Sequence, residues 1–164
     1  MNSSALNIRP AAREDCALIL ELIRELAAYE KLAHHVVASR EGLEASLFDD
    51  APVAEVVIAE WHGGPAGFAL YFPNYSTFLG RPGMYLEDLF VRPQYRNKGI
   101  GKALLVHLAR IVVARGWGRL DWSVLDWNTP AIEFYEALGA RPLDDWTQFR
   151  LDGEALATMA ERRD

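Results

Sequence analysis

Apolar positions change their spacing along the chain, and each spacing predicts a different kind of element. From Cys16 to Tyr29, apolar side chains return every three or four residues, which predicts a helix with one buried face. The same interval recurs from Gly101 to Arg115, and Gly116 is expected to end that helix. A weaker form of the pattern over Arg40–Asp49 predicts a shorter helix.

Shorter apolar runs, rich in branched and aromatic residues, predict β-strands. These runs are Leu6–Arg9, Val53–Trp61, Ala66–Phe72, Tyr85–Val91, Arg119–Leu125 and Trp146–Leu151. The residues His62-Gly63-Gly64-Pro65 are a strong signal for a hairpin between the second and third runs. A longer loop is expected over Pro73–Gly83, which is rich in turn residues and aromatics.

The last third of the chain adds two helices. Thr129 is expected to cap the first of them, with Pro130 at its first position and Gly139 at its end. A short C-terminal helix is expected from about Gly153. The resulting order, β-α-α-β-β-β-α-β-α-β-α, predicts one mixed α/β domain over residues 1–164.

Composition narrows the class of protein. The chain has 164 residues, 51% of them hydrophobic, without a long apolar run, which predicts a globular chain that is neither disordered nor membrane-spanning. Met1–Asn7 has no basic segment followed by an apolar one, so no signal peptide is expected. The single cysteine, Cys16, falls within the apolar spacing of the first helix, and we interpret it as a core residue rather than a catalytic thiol. A chain without a disulfide is typical of the cytoplasm.

Charge and histidine placement exclude further classes. The chain carries 17 basic and 23 acidic residues, a net charge of −6, which argues against a nucleic-acid partner and favours a cationic or neutral small substrate. His34 and His35 are adjacent and face different ways, so no shared metal ion is expected.

The most informative stretch lies between the strand Tyr85–Val91 and the long helix. The turn Arg96-Asn97-Lys98-Gly99-Ile100-Gly101 places two glycines directly before a helix start, where free amides and the helix dipole favour an anion, most often phosphate. A Walker A loop would need Gly at position 96 and Ser or Thr at 103, and a dinucleotide fingerprint would need Gly at 104. The chain has Arg96, Ala103 and Leu104 instead, so both familiar loops are excluded. A glycine-rich turn without a ligand is the alternative.

Two motifs carry a resemblance to a known family. The spacing Arg96-x-x-Gly99-x-Gly101 resembles the acetyl-CoA pyrophosphate loop of the GNAT superfamily of N-acetyltransferases. Asn128–Ala140 resembles the segment after the fifth strand of that family, in which an Asn meets the pantetheine arm and a Tyr sits beside the thioester sulfur. The likeness covers nearly the whole chain and is strongest toward the diamine (spermidine/spermine) acetyltransferases and their thialysine N-epsilon-acetyltransferase relatives. The residues that carry this subfamily likeness are Glu25–Glu30, Tyr85–Asp88, Tyr95-Arg96, Gly99–Gly101 and Val124–Asn128.

The resemblance implies a fold, a co-substrate and a set of site residues. The fold is a central mixed sheet flanked by helices, with a splayed central strand pair and a bulge in the central strand. The backbone of Leu89–Val91 is implied to pair with pantetheine like an added strand. The residues implied to bind acetyl-CoA are Leu89, Phe90, Val91, Arg96, Asn97, Lys98, Gly99, Ile100, Gly101, Lys102, Asn128, Thr129, Pro130 and Ala131.

The resemblance also bears on the acceptor and the assembly. Tyr29, Glu30 and Asp88 are implied to contact the substrate together with Glu87. Homodimers are usual in the resembled subfamily. The diamine enzymes have an Asp where this chain has Ser76, so a loss of polyamine preference is expected.

Acetyl transfer to an amine needs a group that removes a proton from the ammonium and one that protonates the leaving thiolate. A primary ammonium has a pKa of about 10.4, so almost all of it is protonated at neutral pH and a base must remove a proton. We expect Glu87 to attract the ammonium and to accept that proton through water. The alternative is a strand carboxylate that only pairs with a loop cation. A tyrosine, with a pKa of about 10, stays protonated, so Tyr135 is expected to donate to the sulfur, and a core aromatic is the alternative.

Two classes of function fit these residues. Since no nucleophile is well supported, the first is an N-acetyltransferase that transfers acetyl directly, without a covalent enzyme intermediate. The second is an acyl-CoA-sensing module with the same fold and no turnover.

Overall fold

The computed structural model describes residues 5–162, and their elements follow the predicted order over most of the chain. The strands are β1 (Leu6–Pro10), β2 (Glu55–Trp61), β3 (Gly64–Ser76), β4 (Arg81–Val91) and β5 (Leu120–Trp122). The helices are α1 (Cys16–Tyr29), α2 (Arg40–Phe48), α3 (Ile100–Ala114), α4 (Thr129–Ala137) and α5 (Gly153–Ala160). The chain divides into two units, the first ending at Ser123 and the second starting at Val124.

All the strands lie in the first unit and form one mixed sheet. Within residues 5–162 the strand order is β1-β2-β3-β4-β5. β1 to β4 pair antiparallel, whereas β5 pairs parallel to β4 after the α3 crossover that a parallel connection requires. The predicted mixed α/β fold is therefore confirmed.

The hairpin between β2 and β3 is confirmed, with a shorter turn than the four residues predicted. His62 and Gly63 both adopt positive φ angles, +50° and +80°, as a two-residue turn between twisted strands requires. Gly64 already pairs with Trp61 as the first residue of β3.

The apolar face of α1 packs on the sheet as its spacing predicts. Each fully buried aliphatic side chain contributes about 1.5–3 kcal/mol relative to an exposed one. The buried residues of this core are Ile19, Leu22, Leu26, Leu47, Val56, Ile58, Phe68 and Phe90. Cys16 is fully buried with a free thiol, which confirms that it belongs to the core.

The predicted loop Pro73–Gly83 is wrong. β3 continues to Ser76 and pairs with β4 from Arg81 onward, so only a four-residue turn remains between the two strands. Proline is tolerated where a strand has one neighbour, and β2 pairs with β3 only as far as Tyr71. Ser76 is consequently a strand residue, 6% exposed, whose Oγ accepts the Leu79 N–H at 3.2 Å.

Three other expectations need correction. The predicted strand Trp146–Leu151 is wrong, because these residues form neither strand nor helix. The predicted strand Arg119–Leu125 is reduced to β5, which pairs with β4 over three residues. Thr129 is the first residue of α4 rather than its cap, because Asn128 occupies the N-cap position with non-helical backbone angles.

β4 has two irregularities that prepare the site. Asp88 pairs with Leu70 and Leu86 pairs with Tyr71, so Glu87 is an extra residue in a β-bulge. On its other side β4 pairs with β5 only from Met84 to Leu86. In the part of the chain that the structure describes, residues 87–91 of β4 therefore have no neighbouring strand on the β5 side.

Candidate functional site

A glycine-containing loop joins β4 to α3. A single 3₁₀ turn, Pro93–Tyr95, follows β4, and Asn97 and Gly99 then adopt left-handed backbone with φ angles of +60° and +77°. Gly99 is the N-cap of α3, and no side chain among residues 5–162 caps the amides of its first turn. The amides that precede the first internal bond of α3 are thus a potential anion site.

The backbone requires glycine at position 99 but not at position 101. Gly99 requires glycine because of its positive φ angle. Gly101 lies inside α3, and a Cβ built on it would meet nothing nearer than Leu89 Cδ2 at 4.0 Å. The fold would accept alanine at position 101, which is the better helix former. The space above Gly101 is open to a ligand.

Arg96 is oriented toward α1 in this structure. Its Nε donates to the Val91 carbonyl at 3.0 Å, and its Cζ lies 4.7 Å from the centre of the Tyr29 ring. A second aromatic ring, that of Phe90, is 5.8 Å from the same carbon. The guanidinium therefore links the start of the loop to the C-terminal end of α1.

At the bulge in β4, two neighbouring carboxylates differ in solvent exposure. Glu87 is exposed, whereas Asp88 is half-buried. Burial, and then the negative charges of Glu87 and Glu30, raises the pKa of Asp88 to about 6. Burial also raises the pKa of Glu30, the residue that follows α1. Glu30, Glu87 and Asp88 together create a region of negative potential. No cation among the described residues forms a salt bridge with any of them.

The structure brings the first-unit candidates into one region. Tyr29 contacts Arg96 of the loop, and the neighbouring Glu30 acts electrostatically on Asp88 of β4. Of the strand residues predicted to meet pantetheine, Phe90 is a buried core residue, and Leu89 and Val91 are half-buried. Their backbone lies on the stretch of β4 that lacks a strand neighbour on the β5 side.

The remaining candidates lie in the second unit. Asn128 occupies the N-cap position of α4 without a side-chain capping bond to any described residue, and Thr129, Pro130 and Ala131 form the first turn. Tyr135 is half-buried, with its ring centre 5.5 Å from that of Phe134.

Sequence reasoning missed Arg92, which directly follows β4. Its side chain binds two glutamates of α1 and the Pro65 carbonyl. The four-residue spacing of Glu21, Glu25 and Tyr29 was the available signal, because it places these residues on one face of a helix.

Between residues 5 and 162, no three His, Cys, Asp or Glu side chains are grouped so that they could hold a metal ion. No helix in that range is long and apolar enough to cross a membrane.

Comparisons with known proteins point to one family. Residues 19–140 match the model of the family described as Acetyltransferase (GNAT) family. A thialysine N-epsilon-acetyltransferase of Bos taurus is 42% identical over 164 residues, covering 93% of this chain and 96% of that protein. An L-ornithine N5-acetyltransferase of Arabidopsis thaliana is 34% identical, covering 93% of this chain and 86% of that protein.

Solved structures share the fold. An integron cassette protein from the mobile metagenome of V. cholerae has a TM-score of 0.82 at 29% identity, covering 98% of this chain and 100% of that one. A ribosomal-protein-alanine N-acetyltransferase of Brucella melitensis has a TM-score of 0.73 at 23% identity, covering 91% of this chain and 99% of that one. The second likeness concerns the fold alone.

Proposed function

Because the chain belongs to the acetyltransferase (GNAT) family, we propose that it takes the acetyl group from acetyl-CoA and gives it to a primary amine of a small cationic molecule. The family and relatives at 34% and 42% identity over most of the chain identify it as an N-acetyltransferase. The donor and the acceptor are inferred from different parts of the first unit.

The proposal that acetyl-CoA is the donor rests on the open space above Gly101. Alanine would fit there and would favour the helix, so the fold gives no reason for glycine. A diphosphate that closely approaches the first-turn amides of α3 would explain the glycine, because a Cβ would occupy the space that the phosphate oxygens need. Arg96–Lys102 are the residues that we assign to the diphosphate of acetyl-CoA.

The free edge of β4 suits the extended arm of the donor. Among the described residues, 87–91 have no strand partner on the β5 side, although the Val91 carbonyl already accepts from Arg96 Nε. The pantetheine arm carries amide groups, so it can pair with Leu89–Val91 as an added strand would. From the resemblance alone, we assign Asn128–Ala131 to the same arm.

The acceptor is inferred from the acidic residues around the bulge. Glu30, Glu87 and Asp88 bring negative charge together, and Glu30 and Asp88 are also partly buried, which favours a ligand that brings a positive charge. The relatives act on thialysine and on L-ornithine by their names, and both are amino acids with a side-chain amine. We propose an amino acid of this kind, or a short diamine, as the acceptor. Ser76 is buried and uncharged, so it supplies no additional anionic contact for a polyamine.

We propose a direct transfer. One proton of the ammonium first passes through water to Glu87, and the neutral amine nitrogen then attacks the thioester carbonyl carbon. The C–S bond breaks, and the second proton that the nitrogen loses as the amide forms replaces the one given to the thiolate. Tyr135 is assigned, on the resemblance, the donation of a proton to the departing thiolate. A covalent route through Cys16 is disfavoured because its thiol is fully buried and burial raises its pKa.

Three broader statements belong to the same proposal. We propose that residues 1–164 act as one domain, since the family match crosses the boundary between the two units at Ser123. We propose a cytoplasmic location, supported by a single cysteine that is free and buried. We propose a homodimer, for which the exposed side chains of Tyr75, Phe78 and Leu79 are one candidate contact, to be tested by light scattering.

The first experiment measures thiol release from acetyl-CoA with thialysine, lysine, ornithine, putrescine and spermidine as acceptors. We expect turnover with the amino acids or the diamine. Binding of acetyl-CoA without thiol release from any acceptor would instead favour the acyl-CoA-sensing module.

A second experiment tests the donor site with Gly101→Ala. The substitution should leave the melting temperature unchanged or raise it, while raising KM for acetyl-CoA about tenfold or more. Acetyl-pantetheine, which lacks the nucleotide diphosphate, is the matched control, and its KM should not change. An unaltered KM for acetyl-CoA would contradict the assignment of the diphosphate to this loop.

A further inference from the structure

Arg92 lies where β4 ends, four residues before Arg96, and it is almost enclosed by protein. Its Nε donates to both carboxylate oxygens of Glu25 at 3.1 Å, and its Nη2 donates to Glu25 at 2.8 Å and to Glu21 at 2.5 Å. Nη1 donates to the Pro65 carbonyl at 3.2 Å, and the backbone N–H donates to the Ala66 carbonyl at 2.9 Å. The side chain is 12% exposed, so these contacts fix its position.

The carboxylates that hold Arg92 belong to an ordered face of α1. Glu21, Glu25 and Tyr29 are four residues apart, so they lie one above the other on a single side of the helix. Glu21 and Glu25 bind Arg92, and Tyr29 contacts Arg96. We call these three residues the α1 stripe. One face of one helix thus holds the residue before the Pro93–Tyr95 turn and the residue after it.

The other side of the turn rests on the β2–β3 hairpin. The Tyr95 hydroxyl lies 3.3 Å from where a Cβ of Gly64 would stand, and the Lys98 ammonium is 5.6 Å from the centre of the Trp61 ring. The loop is therefore held between α1 and the hairpin, and Arg92 contacts both.

From these contacts we infer that Arg92, held by Glu25 and Glu21, is a positioning residue for the acetyl-CoA loop. The inference rests on the proposed function, because the loop is taken to hold the diphosphate. Arg92 directs its guanidinium at α1 and the hairpin, so it acts on the donor through the amides of Arg96–Lys102. Since a binding group displaced by a fraction of an ångström loses much of its effect, loss of this anchor should weaken donor binding.

The test compares Arg92→Met, Arg92→Lys and Glu25→Gln with the wild-type chain. Arg92→Met should raise KM for acetyl-CoA about tenfold, with kcat at saturating donor changing less than about twofold. Arg92→Lys keeps the charge and loses the bidentate geometry, so its KM for acetyl-CoA should lie between those of the wild-type chain and Arg92→Met. In the double variant, the effects of Arg92→Met and Glu25→Gln should not add, because both remove the same contact.

The chain offers a matched control at the far end of α3. Arg115 binds Glu55 through two hydrogen bonds of 2.7 Å, with the two side chains 36% and 42% exposed. Arg115→Met removes an arginine–glutamate pair of the same chemistry away from the loop. It should leave KM for acetyl-CoA unchanged, and melting temperatures of all variants will be measured so that KM is compared among folded proteins.

Direct binding of CoA, followed by calorimetry without an acceptor, separates the two inferences. If wild-type protein binds CoA and Arg92→Met binds it about tenfold more weakly, the positioning role is supported. If both bind CoA equally, or if Arg115→Met weakens binding as much, the positioning role is overturned while the donor assignment stands. If the wild-type protein does not bind CoA, the proposed donor itself fails, and the role of Arg92 fails with it.

Discussion

Replacing Asp88 with asparagine should stabilise the protein without its substrate. Burial and two neighbouring carboxylates raise the pKa of Asp88 from 3.8 to about 6, so the folded chain disfavours the charged form. At about 1.4 kcal/mol for each pKa unit, the full penalty is about 3 kcal/mol. Asparagine has nearly the same shape and carries no charge, so Asp88→Asn should remove that penalty.

The gain should depend on pH in a defined direction. Below about pH 3.8 the carboxyl is protonated in both the folded and the unfolded chain, and the penalty is absent. As the pH rises toward 6, the unfolded chain loses the proton first, so wild-type stability falls, and above pH 6 the penalty is complete. Between about pH 4.5 and about pH 7.5, the advantage of Asp88→Asn should therefore grow by about 2 kcal/mol.

Urea unfolding of both proteins at these two pH values measures the difference. Asp50→Asn is the matched control, since it makes the same substitution at an exposed aspartate outside the site. An advantage of Asp88→Asn that stays constant with pH would refute the assignment of the penalty to the charge. The variant should also bind a cationic acceptor more weakly at neutral pH, because the charge that is costly in the free protein is the one that attracts the ammonium.

Three further predictions concern the chemistry and the sheet. Tyr135→Phe should lower kcat by about tenfold or more while leaving the affinity for acetyl-CoA unchanged, and an unchanged kcat in the thiol-release assay would remove Tyr135 as the acid. Glu87→Gln should reduce kcat/KM for cationic amines more than for neutral ones, and an equal loss with both kinds of acceptor would argue against its role. Gly67→Ala should destabilise the fold by about 3 kcal/mol in urea unfolding, because its Cβ would clash with the Phe90 carbonyl oxygen, and a change below about 0.5 kcal/mol would contradict that contact.

Elements with a local signal could be predicted from the sequence. The apolar spacing of α1 and α3 gave their extents to within a residue, because a helix that buries one face repeats its apolar positions every 3.6 residues. The turn after β4, with Gly99 at the start of α3, also had a local signal in the sequence. Gly116, with a φ angle of +67°, ends α3 where its position predicted.

Features that depend on distant pairing could not be predicted in the same way. β3 and β4 extend through a proline-rich stretch because each supplies the partner of the other, and no local pattern records that pairing. Trp146–Leu151 has the composition of a strand, and a strand also needs a neighbour. The raised pKa of Asp88 arises partly from Glu30, a residue 58 positions earlier in the chain. The orientation of Arg96 toward Tyr29 is another long-range contact of this kind.

The short pairing between β4 and β5 has a consequence for handling the protein. A stretch of strand with unpaired backbone groups is a template on which other extended chains can assemble, and aggregation commonly starts at such edges. Here the β-bulge bends the strand where the free stretch begins, and the exposed charge of Glu87 stands at the same point. Both features oppose the addition of a foreign strand, so we expect the residue proposed to attract the substrate to hinder aggregation of the unliganded protein as well.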